Sequence, residues 1–250
     1  MTTATLSQTH VHAPINLDTV IHRASSAETK RDLLGILKKL ESEPYLDAVI
    51  QSYQSGLDRF GGDWQYVDLI SVIHAYASLM QPEWYLEIGV RRGRSLAAAY
   101  AACPTLKSVG FDLWLADYAG ASNEGELFVR REVSQAADDV DLELITGNSR
   151  ETVPEFLKRP NTPATFDMIT VDGDHRAEGA RIDLDHTLPL IAPGGIVMFD
   201  DIIHPDLPHL AGVWEDAIAQ FPQFAVYTNT TDGTGLAVAM NPTSAVPRGQ

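Results

Sequence analysis

The stretch Trp84-Tyr85-Leu86-Glu87-Ile88-Gly89-Val90-Arg91-Arg92-Gly93-Arg94-Ser95 decides how the chain is built. It opens as a short apolar run and closes in a glycine-bearing turn, the pattern of a buried strand that stops abruptly. Gly89 and Gly93 can let the backbone come close to a ligand and take conformations that other residues resist. Behind them Ser95–Ala102 reads as an Ala-rich helix, and its start near Arg94-Ser95 presents free amide groups to a negative atom. Strand, turn and helix in this order form the first half of a parallel α/β unit.

The unit repeats downstream. Ser108–Trp114, Leu142–Thr146, Phe166–Val171 and Ile196–Phe199 read as strands, the last entered through the turn Pro193-Gly194-Gly195. Helices are expected over Gly125–Ala137, Thr152–Leu157, Ala177–Leu184 and Val213–Phe221. Phe224–Thr228 and Gly235–Met240, around Asp232-Gly233, suit a terminal antiparallel hairpin. The expected fold is α/β: a doubly wound, Rossmann-like, mostly parallel seven-stranded sheet with a C-terminal antiparallel hairpin. Upstream, Leu33, Leu34, Leu37 and Leu40 recur at helical spacing, as do Leu46–Leu57 and Val67–Met80, which adds N-terminal helices. The expected divisions are a flexible arm over 1–26, a helical segment over 27–82, the α/β domain over 83–241 and a tail over 242–250. The helical segment packs either on its own domain or on a second copy of the chain.

The 250 residues suffice for one sizeable domain, and a hydrophobic share of 44% with 21% charged residues is that of an ordinary globular protein. A formal charge of -16 repels phosphate backbones and anionic lipid, so neither nucleic acid nor membrane is an expected partner. The one cysteine, Cys103, permits no disulfide within the chain and reads as a small buried apolar residue. With no signal-peptide pattern at the start and no apolar run of membrane-spanning length, a cytoplasmic location is expected. His74 and His186 read as structural.

In sheets of this kind the ligand lies beyond the carboxyl ends of the strands, where strand order reverses. Five segments fall there: Glu87–Gly93, Asp112–Tyr118, Gly147–Ser149, Asp172–His175 and Asp200–His204. A dinucleotide-binding turn would carry glycine where this chain has Glu87, whose carboxylate repels a diphosphate. Glu87 suits a ligand that bears an ammonium group, such as the amino acid end of a methionine derivative. Asp112, at the end of the second strand, can accept both hydroxyls of a ribose. Asn148 and Ser149 either face an adenine or serve local turn hydrogen bonding.

Asp172-Gly173-Asp174-His175 and Asp200-Asp201 bring four carboxylates to two strand ends, which strain one another unless a cation or protons compensate. Such an oxygen-rich site favours magnesium, with manganese an alternative. Adjacent residues of a regular strand point to opposite faces, so Asp200 and Asp201 can share one ion only if the chain turns between them. The ion would acidify a substrate hydroxyl, and Asp174 and His175 are the candidate bases. His175 has the better unperturbed pKa for the task, though it could equally be a ligand, and His204 and His209 lie near the same rim.

From Trp84 to about Trp214 the chain resembles the metal-dependent small-molecule O-methyltransferases, near the cephalosporin hydroxylase-like and macrolide-sugar methyltransferase branch. The segments YLEIGVRRGRS, VGFDLW, FDMITVDGDH and LPLIAPGGIVMFDDI carry this likeness. The resemblance implies S-adenosylmethionine as cofactor, with Glu87, Gly89 and Asp112 in contact with it and Trp114 lining its pocket or that of the acceptor. Gly93, Ser95, Asn148, Ser149 and Asp172 are further expected cofactor contacts. It implies Asp172, Asp200 and Asp201 as ligands of magnesium or manganese, and Asp174 or His175 as the general base. The expected acceptor is a hydroxylated small molecule with a vicinal diol, on a sugar or a catechol-like ring. The N-terminal helices and the Leu115–Glu126 loop match no particular branch. An NAD-dependent oxidoreductase, a metal-dependent hydrolase and a non-catalytic binding protein are the rival readings on the same fold.

Overall fold

The computed structural model describes residues 15–116 and 124–242. The first fourteen residues of the expected arm, the centre of the Leu115–Glu126 loop and the tail beyond 242 lie outside the described residues. Seven strands form one sheet: β1 Trp84–Ile88, β2 Lys107–Asp112, β3 Asp141–Thr146, β4 Phe166–Val171, β5 Ile191–Asp200, β6 Ala225–Asn229 and β7 Leu236–Met240. Their order is β3-β2-β1-β4-β5-β7-β6, parallel from β3 to β5, with β7 antiparallel to both β5 and β6. Strand order reverses between β1 and β4, so the ligand crevice opens beyond Ile88 and Val171.

Nine helices among the described residues surround the sheet: α1 Leu17–Ser25, α2 Ala27–Leu37, α3 Pro44–Phe60, α4 Leu69–Met80, α5 Arg94–Ala102, α6 Glu126–Ser134, α7 Ser149–Leu157, α8 Ala177–Thr187 and α9 Leu210–Ile218. Alternation along each strand assigns the two faces. Tyr85 of β1 joins α1, α4, α5 and α6 in one core, whereas Leu86 and Ile88 face α7, α8 and α9 in another. A third cluster joins Leu33, Leu37, Leu46 and Tyr53 of α2 and α3 to Ala97 and Ala98 of α5, so the N-terminal helices pack on their own domain. Cys103 and His74 are buried as expected, the latter with Nδ1 3.1 Å from the Ala98 carbonyl.

Two expectations need correction. The arm ends earlier than its polar composition suggested, because α1 begins at Leu17 with Asn16 as its N-cap and buries Leu17, Val20 and Ala24 against α4. One apolar stripe on a nine-residue helix is too short to stand out among polar neighbours. Pro193-Gly194-Gly195 does not precede β5 but lies within it, where the register against β4 shifts between Phe166 and Met168. A Cβ on Gly195 would stand 2.9 Å from the Ala192 carbonyl and 3.0 Å from those of Phe166 and Asp167, so glycine admits an irregularity inside the strand.

Because Val20 is fully buried, Val20→Ala should lower stability by about 1–2 kcal/mol, measured as a drop in thermal midpoint. An unchanged midpoint would mean that this stretch is the free arm the sequence suggested.

Candidate active site

Glu87 is the innermost charged group of the site. Alternation along β1 turns it toward α5, where the Ser95 hydroxyl donates to Oε1 in a short contact. The side chain is 1% exposed, and Oε2 has no hydrogen-bond partner. Burial raises its pKa to about 8 against the opposing pull of Ser95, with Asp172 and Asp112 adding to the rise. A wholly buried carboxylate with one idle oxygen is costly unless a donor or cation meets it.

The turn that follows is fixed by backbone crowding. At Gly89 (φ 91°) a Cβ would stand 1.9 Å from the Asp172 carbonyl oxygen, so this glycine serves the close passage of two strand ends. Gly93 (φ 75°) fits under Val129 of α6, whose Cγ1 would be 2.8 Å from a Cβ there, and it ends the turn at the start of α5. Asp112 closes β2 with Oδ2 accepting the Arg91 N–H at 2.7 Å and Oδ1 the Trp114 N–H at 2.6 Å. Its carboxylate therefore ties the turn after β1 to the turn after β2. The Trp114 indole donates to the Thr146 hydroxyl at 2.8 Å, which sets the ring at the end of β3.

Asn148 is the N-cap of α7 and accepts the Arg150 N–H at 3.1 Å, the local turn role that was one of its two expected readings. α7 begins at Ser149 rather than at Thr152.

On the other side of the crevice, His175 Nε2 lies 3.3 Å from Asp172 Oδ1 and 3.3 Å from Asp201 Oδ2. Ligand atoms of Asp172, His175 and Asp201 all fall within 4.8 Å of one another, close enough for one ion. The chain does turn between Asp200 and Asp201. β5 ends at Asp200, and Asp201 sits at φ 64°, held by its N–H on the Gly235 carbonyl at 3.1 Å. Asp200 is not part of the close group, although burial together with Asp172 and Asp201 holds its pKa well above the usual carboxylate range. Burial likewise raises Asp172. Burial opposes the charged form of His175, but Asp172 and Asp201 outweigh it and raise its pKa.

Asp174 is engaged elsewhere: Arg176 Nη2 lies 2.6 Å from Oδ2 and holds the pKa of Asp174 below the usual range. His209 Nε2 is 2.7 Å from the His175 carbonyl, and His204 Nδ1 accepts the Asp206 N–H at 3.2 Å, so both sit on the rim outside the close group. His186, at the far end of α8, belongs to no part of the site.

Sequence reasoning missed the N-terminal contribution. Tyr45, near the start of α3, lies under the Arg94 guanidinium at 4.3 Å from the ring centroid and within electrostatic reach of Asp200 and Asp172. Tyr66 and Asp68, just before α4, are also within reach of Asp200. No local motif marks them; only the tertiary fold brings them to the strand ends.

The profile of a methyltransferase domain family matches residues 86–202, the span from β1 to just past Asp201. Among curated proteins none matches the chain. Solved structures resemble it at low identity. The O-methyltransferase of Bacillus cereus in complex with S-adenosylhomocysteine superposes with a TM-score of 0.55 at 18% identity, over 80% of this chain and 92% of that one. TomG of Streptomyces achromogenes, an O-methyltransferase of tomaymycin synthesis in complex with S-adenosylmethionine, gives 0.55 at 22% identity, over 81% and 92%. The apo TDP-rhamnose 3′-O-methyltransferase of calicheamicin biosynthesis gives 0.52 at 18%, over 85% and 93%.

The raised pKa of Glu87 has a consequence for stability. The folded state keeps its proton up to about pH 8 while the unfolded chain releases it near 4.5, so ionisation of this group destabilises the fold as pH rises through that window. The thermal midpoint of Glu87→Gln should gain on wild type steadily from about pH 5 to pH 8 and level off above. A pH-independent difference between the two proteins would contradict it. With the 3-2-1-4-5-7-6 sheet and a methyltransferase domain matched over residues 86–202, the chain has the fold of the class I S-adenosylmethionine-dependent methyltransferases.

Proposed function

We propose that this chain is an S-adenosylmethionine-dependent methyltransferase that acts on a hydroxyl oxygen of a small molecule carrying a vicinal diol, on a sugar or a catechol-like ring, with the help of magnesium or manganese. One observation carries the reading: the unsatisfied Glu87 oxygen and the Asp172–His175–Asp201 group flank the same crevice, so a site for an ammonium adjoins a site for a divalent cation. When bound, S-adenosylmethionine supplies an electrophilic methyl and the cation makes the acceptor hydroxyl more acidic.

The residues present fit both groups. Glu87 Oε2 receives the cofactor's ammonium while Ser95 holds Oε1 in place. Asp112, braced by the Arg91 and Trp114 amides, stands at the end of β2 to receive the ribose hydroxyls, with Trp114 and Ser149 on the adenine side. Asp172 and Asp201 bind the cation as hard carboxylates, and Asp200 deepens the negative field behind them. Holding acceptor and methyl donor on adjoining sites turns their encounter into an effectively unimolecular step.

His175 receives the acceptor's proton at Nε2, and its flanking carboxylates stabilise the imidazolium that results. Asp174 is the weaker base because Arg176 already occupies its carboxylate. A second reading is favoured by the equal 3.3 Å separations: His175 is instead a third ligand of the same ion.

Manganese bound to the protein distinguishes the two. If His175 is the base, His175→Ala keeps manganese affinity within about twofold, loses turnover by ~10²–10⁴-fold, and the electron spin echo of the wild type shows no nitrogen coupling. Nitrogen coupling with lost affinity assigns His175 to the metal, and wild-type turnover in the variant removes it from the mechanism. For the cofactor side, calorimetry of S-adenosylhomocysteine at pH 7 should show proton release to the buffer, because the ammonium lowers a Glu87 pKa that stands at about 8. Glu87→Gln should abolish that release and weaken binding by ~10-fold or more. Unchanged affinity in this variant would place the ammonium elsewhere.

A further inference from the structure

Asp183, on α8 behind the Asp172–His175 loop, is fully buried, and neither of its carboxylate oxygens has a hydrogen-bond partner. For helix packing alone, an apolar residue of the same size would serve better, since an unpaired buried carboxylate lowers stability. Burial raises its pKa to about 6.

Its surroundings are specific. The Ser149 hydroxyl, on the first residue of α7, and the Asp174 amide, within the loop, face the carboxylate outside full hydrogen-bond geometry. The charged groups within reach are Asp174 and Arg150. The loop rests directly on Asp183: a Cβ on Gly173 would stand 3.6 Å from Asp183 Oδ2 and 2.7 Å from Ile88 Cγ2. The Asp174 carboxylate leans over Gly179, where a Cβ would be 1.9 Å from it. Thr187 donates to the Asp183 carbonyl at 2.7 Å and steadies the α8 backbone at this point.

We infer that Asp183 is a positioning residue that joins the turn at Asn148–Ser149 to the Asp172–His175 loop by attracting the Ser149 hydroxyl and the Asp174 amide. The inference rests on the proposed roles of that turn and that loop in cofactor and cation binding. The carboxylate touches neither ligand. It sets the height of the loop against the end of β3, and so the aim of Asp172 and His175 into the crevice. Partners of this indirect kind commonly shift metal affinity by ~10–100-fold when removed.

The test uses Asp183→Asn, which keeps the shape without the charge, and Asp183→Leu, which keeps the branch at Cγ without polarity. Four quantities are measured: thermal midpoint, amide exchange, S-adenosylhomocysteine affinity by calorimetry and manganese affinity by electron paramagnetic resonance. A positioning role predicts a midpoint at or above wild type, because a buried charge has gone, together with faster exchange confined to 148–150 and 172–176. Affinity for manganese, for S-adenosylhomocysteine or for both should fall by ~10-fold or more. Two outcomes overturn it: wild-type exchange and affinities in both variants, or a lowered midpoint with exchange accelerated throughout the chain. Failure of the wild type itself to bind manganese would refute the cation assignment, and exchange and S-adenosylhomocysteine affinity would still decide the role of Asp183.

Discussion

The close passage of β1 and β4 at their carboxyl ends is the constraint on which the site depends. The Asp172 N–H donates to the Ile88 carbonyl at 2.8 Å, and the Gly89 N–H to that of Phe111 at 2.9 Å, so three neighbouring strands are locked just where they end. With the Asp172 carbonyl 1.9 Å from where a Cβ of Gly89 would lie, only glycine permits this spacing. The consequence is chemical. Glu87 and Asp172, far apart in sequence, become near neighbours, and Asp172 adds to the preference of Glu87 for a proton. A wider passage would relieve the carboxylates and separate the two ligand sites that their proximity joins.

That proximity makes the crevice an accumulation of carboxyl groups. Glu87, Asp112, Asp172, Asp200 and Asp201 all approach it, and burial raises the pKa of Glu87, Asp172 and Asp200. The protein's own answer is limited: Arg94 exerts an opposing field on Asp172, and His175 stands between Asp172 and Asp201. The ammonium and sulfonium of the proposed cofactor, and the proposed divalent cation, would bring positive charge to such a cavity. A diphosphate would find this carboxyl-rich place ill-suited, whereas a dinucleotide-binding turn carries glycine where Glu87 stands.

Much of this was legible in the sequence because the relevant signals are local. The alternation of apolar runs with glycine turns predicted the sheet, and the rule that ligands gather at strand ends picked out Glu87, Asp112, Asp172 and Asp201 before any coordinates. What could not be read was tertiary. Asp174 and His175 are adjacent, so sequence gave no means of choosing between them. The fold gives them different surroundings, pairing Asp174 with Arg176 and setting His175 between two carboxylates. Gly89 looked like a ligand-contact glycine, yet its freedom is used against another strand. Asp183 gave no signal, since one aspartate in a helix reads as solvated until its burial is known.

The N-terminal helices reach the same strand ends. Lys30 is fully buried, with Nζ 2.5 Å from the Ala24 carbonyl and 2.6 Å from that of Tyr66, and it lies 5.7 Å from the ring centroids of both Tyr53 and Tyr66. Desolvation lowers its pKa to about 8, a penalty tolerated because the ammonium clamps the segment leading to α4. Tyr53 donates to Asp68 at 2.6 Å, and Asp68 caps α4, so one rigid cluster fixes Tyr66 within reach of Asp200. Tyr45, set by Arg94, approaches the same carboxylate from α3. The sheet thus gathers carboxylates at its strand ends, while the preceding helices set aromatic hydroxyls beside them.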